Sequence, residues 1–350
     1  MILSLCPWEF LRKFEKEKTI ELDSLIQIFR EHWRDESWHE VLRLMAGRLD
    51  AKFTGNILEY LIGENGEAEK FSNLFLAAQC VSEVKNRNDI AAIASKLRDL
   101  VKELTKYENS SASTPQEYDN PVYEIRIQAV AAVAATWKDD RETSPWLKQL
   151  VQFDNNWAVR QAAIQELVRG WKDDPETSLW LKQIAQLDNN WAVRRAAVQE
   201  LARGWKNDPE TSSLLKQLAQ YDNKSDVRCT AVQELAGGWK DDPKTLPILK
   251  QRALFDDDKY VRVAAVQELV RWCKEDSEIF ELLCDIAIND PAYHDYDWQI
   301  SPRQTALAYI IELYPDRPQT LEIVRDRAQN DRDQKLREFA QQKLAELERQ

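Results

Sequence analysis

The chain of 350 residues repeats itself every 34 positions, and no other feature restricts its fold so tightly. Residues that return in register build equivalent units stacked on one another, not a globule around a single centre. Trp137, Trp171, Trp205 and Trp239 are each 34 residues apart, and so are Arg126, Arg160, Arg194, Arg228 and Arg262. After a seven-residue insertion the arginines resume at Arg303 and Arg337. Six residues before each arginine from the second onward stands an aspartate: Asp154, Asp188, Asp222, Asp256, Asp297 and Asp331. The first unit has Asn120 there. Three residues after every arginine comes an alanine: Ala129, Ala163, Ala197, Ala231, Ala265, Ala306 and Ala340. The repeat is therefore seen seven times, and its length suits two helices.

The helix ends are written in local chemistry. Asp174 is placed to cap, Pro175 fits a first helical position, and Glu176 complements the positive end of the helix dipole. A first helix is expected from there through Trp180, Ile184 and Leu187, an apolar stripe at helical spacing. Asp188-Asn189-Asn190 stops it, and a second helix is expected from about Trp191 to Gly204-Trp205. The same punctuation recurs at Asp208-Pro209 and Asp242-Pro243.

Projected at about 100° per residue, the second helix puts Val159, Ala163, Ile164, Leu167 and Trp171 on one apolar arc. Arg160 falls within that arc. A buried guanidinium needs a carboxylate, and the aspartate six residues earlier is the expected supplier. The alanine at the centre of the stripe allows neighbouring helices to approach closely. Gln161, Gln165 and Arg169, with Glu166 at the margin, form the expected solvated face.

The pattern Asp-x4-Val-Arg-x2-Ala-x3-Leu, as in Asp188 to Leu201, resembles the HEAT repeat, in the short variety found in bacterial scaffolds and bilin lyases. The resemblance implies an all-α, right-handed α-solenoid whose second helices line a concave surface. It also implies a structural ladder linking adjacent repeats through Asp154, Arg160, Asp188, Arg194, Asp222, Arg228, Asp256 and Arg262. Seven repeats are expected over residues 122–350, a divergent helical block over 1–106, and a polar linker or loop over 107–121. In the first block, Asp35 to Arg43 echoes the later turn and second helix, and Phe71 to Cys80 reads as a packing helix. Trp8-Glu9-Phe10-Leu11 and the run from Phe29 to Arg43 are similar to the segment that follows the ATPase core in cyanobacterial NACHT-type signalling proteins. That resemblance implies a sensor role.

Composition narrows the chemistry. Sixty acidic residues against 48 basic give a net charge of -12, the wrong sign for a chain that lives on phosphate backbones, so no nucleic acid is expected. Only 8 glycines occur, and neither G-x-x-x-x-G-K-[ST] nor G-x-G-x-x-G is present. No apolar run approaches the ~20 residues that span a bilayer, and the opening Met1 to Cys6 meets charge too soon for a signal peptide, so a cytoplasmic product is expected. The five cysteines, Cys6, Cys80, Cys229, Cys273 and Cys284, are scattered without a CxxC pair, which points to inert thiols. His32, His39 and His294 have no metal-site spacing and read as packing or capping groups. No catalytic residue, cofactor or metal is expected, and the chain reads as a non-enzymatic scaffold for a protein or peptide on its concave face. The alternative is a bilin lyase-like protein acting on phycobiliproteins.

The candidate contacts follow from the repeat. Trp137, Trp171, Trp205 and Trp239 lie on the apolar arc and read as core, as do Trp146 and Trp180, which align with Leu214 and Ile248. Trp157 and Trp191 align with Tyr123, Ser225 and Lys259, a position open to polar groups, and are expected to face water as partner contacts. Gln165, Gln199, Gln233 and Gln267 recur beside Glu166, Glu200, Glu234 and Glu268, with Arg169, Arg203 and Arg271 three residues beyond the glutamates. Helical ion pairing alone accounts for the glutamates and arginines. Repeated polar positions are nevertheless where a solenoid binds, so Gln165, Arg169, Gln199, Arg203 and Arg271 are candidates. The insertion Tyr293 to Trp298 is a further candidate contact loop.

Overall fold

The computed structural model describes residues 22–108, 121–273, 276–293 and 301–349. Among these residues the regular elements are all helices. They divide into two compact units, residues 1–177 and 178–350. The first holds α1 (Leu22–His32), α2 (Glu36–Ala46), α3 (Ala51–Gly63), α4 (Ser72–Glu83), α5 (Ala91–Leu104), α6 (Pro121–Thr136), α7 (Thr143–Phe153) and α8 (Trp157–Trp171). Helix α9 (Pro175–Leu187) carries the chain from one unit into the other. The second holds α10 (Trp191–Gly204), α11 (Pro209–Tyr221), α12 (Ser225–Gly238), α13 (Thr245–Phe255), α14 (Lys259–Cys273), α15 (Ser277–Asn289), α16 (Pro302–Leu313), α17 (Pro318–Asn330) and α18 (Gln334–Leu347).

Short polar side chains start these helices. Asp174 accepts the Glu176 amide at 3.0 Å, Asn190 accepts the Ala192 amide at 2.8 Å, and Asp208 accepts the Glu210 amide at 2.9 Å. At Asp242-Pro243 the expected start is displaced. Asp242 still holds the Lys244 amide at 2.9 Å, but helical geometry begins only at Thr245. The seven recurrent alanines are all fully buried. Each sits where a second helix meets its neighbours, and a larger side chain there would overpack the contact.

In the first unit a continuous apolar core joins α1 to α6. Leu25, Phe29, Trp33, Trp38, Val41 and Leu42 belong to it, and so do Ile125, Ala129, Val133 and Trp137 from beyond residues 109–120. Most of the stretch 107–121, expected as a linker or loop, lies outside the described residues, and the helices on either side of it share this core. Arg126 ties α6 to α5. Its Nε donates to the carbonyl of Thr105, at the end of α5, where later arginines bond the carbonyl of an aspartate at the end of their own first helix. Helix α5 thus stands to α6 as a first helix stands to the second helix of a repeat. Two packing positions use the main chain as well. Thr143 Oγ1 donates to the Trp137 carbonyl at 2.7 Å, and Thr320 Oγ1 to the Tyr314 carbonyl at 2.6 Å. Thr177, Thr211 and Thr245 are buried at the same place in their repeats. Where Cys273 replaces the aromatic residue, the threonine position holds the buried Ile279.

Candidate binding surface

The arginines and aspartates supply the frame on which any surface rests. Arg194 places Nε and Nη2 on Asp222 at 2.9 and 2.7 Å, Arg228 does the same on Asp256 at 3.0 and 2.7 Å, and Arg262 on Asp290 at 2.6 and 3.0 Å. Arg126 bonds Asp154 at 2.8 and 2.9 Å, and Arg303 bonds Asp331 at 3.0 Å. In each pair the carboxylate lies 28 residues after the arginine, not six before it. What the aspartate six residues earlier contributes is its main-chain oxygen: Asp188 to Arg194 at 2.8 Å, Asp222 to Arg228 at 2.9 Å, Asp256 to Arg262 at 2.6 Å. The reason is geometric. Each aspartate ends a first helix and turns its Oδ1 onto the amide two residues on, as Asp222 does with Lys224 at 2.9 Å. Its outer edge then faces the fork of the preceding repeat, a planar fit that arginine makes with two parallel hydrogen bonds. Arg160 places Nε on the Val151 carbonyl at 2.6 Å, and Asp154 and Asp188 each hold the amide two residues on, Asn156 and Asn190, at 2.8 Å. Before the insertion, Asp290 fills the ladder position expected of Asp297, which lies outside the described residues together with Asn120.

A second row of cations went unread in the sequence although it has the same period. Lys148, Lys182, Lys216 and Lys250 reach the start of the next first helix. Lys182 Nζ lies 2.6 Å from Asp208 and 2.7 Å from Glu210, Lys216 pairs with Asp242, and Lys250 lies 2.5 Å from Glu278.

The second helices present Gln165, Gln199, Gln233 and Gln267 to solvent in register. Arg169, Arg203 and Arg271 are also exposed, each folded back onto the glutamate three residues earlier at 2.6, 3.1 and 2.9 Å. Glu166, placed by the helical projection at the margin of the solvated face, is buried, as are Glu200 and Glu268. The arginine side chains, 61–75% exposed, cover them. Burial pushes the Glu166 carboxyl above its ordinary value, with Arg169 opposing the shift.

The tryptophans expected to face water are partly exposed. Trp157 and Trp191 are half-buried, and the Arg195 guanidinium lies 5.3 Å from the Trp191 ring centroid. Of the tryptophans assigned to the core, Trp137 is buried, while Trp146, Trp171, Trp180, Trp205 and Trp239 are half-buried. The exposed apolar row lies elsewhere, at the last residue of successive first helices. Leu187, Tyr221 and Phe255 in the second unit are 73–76% exposed, and Phe153 in the first matches them. A cleft of about 430 Å³ between two of these turns is lined by Leu187, Asp188, Arg194, Tyr221 and Asp222. The signal was available in the 34-residue spacing, but each of these residues continues a helical apolar pattern and so resembles core.

The two described histidines pack against aromatic residues and the main chain. His32 stacks on Trp38 at 3.7 Å, and His39 Nε2 meets the Trp33 carbonyl at 2.7 Å. His294 and the rest of the insertion to Trp298 lie outside the described residues, and Tyr293 sits beneath the Arg303 guanidinium at 4.9 Å. Burial pushes the Cys80 and Cys229 thiols up to about 12 and Cys284 up to about 11, so none is a thiolate near neutral pH. Cys6 lies outside the described residues. Among the described residues no group of three or more His, Cys, Asp or Glu is arranged to hold a metal ion. No helix among them is long and apolar enough to cross a membrane.

This arrangement of paired helices tied by recurrent ion pairs defines a helical repeat scaffold, an all-α solenoid. Within it, residues 116–202 and 177–270 match the HEAT-repeat family model. No curated protein matches the chain. Among solved structures, that of YibA from Escherichia coli is similar at 17% identity over 87% of this chain and 95% of that one, with a TM-score of 0.41.

Proposed function

We propose that the chain is a non-enzymatic scaffold that holds a protein or peptide against the face of its second helices. The observation that carries this reading is the row Gln199, Gln233 and Gln267, exposed on three successive second helices of the second unit, with Gln165 exposed at the matching place in the first. Glutamine amides offer both donors and acceptors to a passing main chain, and no packing requirement explains their recurrence at a solvated position. Arg203 and Arg271 flank the row and add charge, and Arg169 does the same beside Gln165 in the first unit. The similarity of residues 8–43 to NACHT-type proteins supports the finer reading of a sensor in such a signalling system. Phe29, Trp33, Trp38, Val41 and Leu42 of that run are core residues. The bilin lyase alternative has no candidate catalytic group among the described residues.

A second location for the partner is favoured by the apolar row Leu187, Tyr221 and Phe255 on the turns. Two variant sets separate the two surfaces. Changing Gln199, Gln233 and Gln267 to alanine is expected to weaken capture of the partner about tenfold or more, since each lost hydrogen bond is worth about 0.5–1.5 kcal/mol. The urea midpoint should not move. Changing Leu187, Tyr221 and Phe255 to serine is expected to leave capture intact. The reverse outcome moves the site to the turns.

A further inference from the structure

We infer that the second-helix face carries, at Glu234 and Gly237, a subsite for a cationic side chain of the partner, an arginine or a lysine. The inference rests on the reading of that face as the binding surface and adds the chemistry of one contact.

The protein supplies its own template. In three repeats a glutamate on the second helix takes the arginine three residues on: Glu166 with Arg169, Glu200 with Arg203, Glu268 with Arg271, at 2.6–3.1 Å. In the fourth, on α12, the glutamate is kept and the arginine is Gly237. Glu234 is half-buried and, among the described residues, makes no hydrogen bond or ion pair. Arg203 is close enough to act on it electrostatically, but its Nη1 is engaged by Glu200. Gly237 is exposed, and a Cβ built there would meet nothing within 4 Å. The place occupied by a guanidinium in the neighbouring repeats is therefore open, above a carboxylate that has lost its counter-ion.

Chemistry accounts for what would enter. Burial pushes the Glu234 carboxyl above its ordinary value, Arg203 opposes this, and Glu200 adds to it. A carboxylate short of water gains most from a charge-assisted hydrogen bond, and a guanidinium makes the strongest one. The glycine itself has no structural excuse. It lies in a helix, where glycine is less favourable than alanine, and nothing approaches it closely. Gly238 differs, since Gly170 and Gly204 stand at the same position in other repeats.

The test uses the full chain and acetyl-arginine amide as the probe, followed by the amide resonances of Gly237 and Gly238 and the carboxyl carbon of Glu234. The expected result is a concentration-dependent shift confined to these positions. It should fall about fivefold or more with the uncharged acetyl-norleucine amide, with Glu234→Gln, and with Gly237→Arg, whose own guanidinium would close on Glu234. Gly237→Arg should fold at least as well as the parent, because the neighbouring repeats already carry that side chain. Equal shifts in Glu234→Gln, or shifts that spare Gly237, overturn the subsite. The two claims fail separately: loss of the probe response overturns the subsite whatever the glutamine variants do, and capture by those variants overturns the surface whatever the probe does.

Discussion

Asp256→Ala is expected to cost about 3–5 kcal/mol of stability, because it leaves the Arg228 guanidinium buried without its carboxylate. The Asp256 side chain is fully enclosed, and four donors from three residues converge on it: Arg228 Nε and Nη2, Arg252 Nη1 at 3.2 Å, and the Asp258 amide at 3.0 Å. Burial alone would raise its carboxyl, but the Arg228 fork and the Asp258 amide outweigh this and hold it below the ordinary range. Asp257 also reaches Arg228, though from a solvated position that screens it. Urea unfolding followed by far-ultraviolet circular dichroism gives the loss directly. Replacing both partners by apolar residues, Arg228→Met with Asp256→Leu, should recover most of it, since the buried charge is then gone. A single variant within about 0.5 kcal/mol of the parent would show that the ladder does not hold the repeats together.

Trp33→Ala is expected to destabilise the first unit by about 3–5 kcal/mol, the usual cost of emptying a large buried aromatic site. The ring is completely enclosed, packs in the same core as Leu25, Phe29 and Leu42, and lies under the Arg34 guanidinium at 4.1 Å. The hydrogen bond from His39 goes to the main chain of Trp33 and survives the change. Amide exchange in α1 to α3 measures the effect where it arises. Trp33 lies in the run from Phe29 to Arg43, so a large stability cost would place its identity under packing and not under ligand recognition. Unchanged exchange would contradict the enclosed position.

Particular residues show where sequence was enough. The bounds Pro175–Leu187 and Trp191–Gly204 match the expected helices because proline, aspartate and asparagine act on the backbone within a few positions of themselves. The seven alanines were legible because close packing recurs with the repeat. The choice of carboxylate for each arginine was not. Asp222 lies six residues before Arg228 and 28 after Arg194, and only the folded turn decides that its side chain serves Arg194 and its carbonyl Arg228. Burial of Glu166 was missed for a related reason. A helical projection treats each helix alone, whereas the arginine that covers the glutamate and the neighbouring helix beside it decide whether the margin is wet. In the first 108 residues no period exists to align against, so the role of α5 as a first helix emerged only from the bond between Arg126 and Thr105.

The most direct measurement of the account is a pair of double-mutant cycles sharing Asp222. Arg194 and Asp222, 28 residues apart, should show a coupling of about 1–3 kcal/mol, whereas Arg228 and Asp222, six apart, should couple by no more than about 0.5 kcal/mol, because only the main chain of Asp222 serves Arg228. Strong coupling within the six-residue pair and none across 28 would contradict a scaffold whose repeats are joined, one to the next, by these side chains.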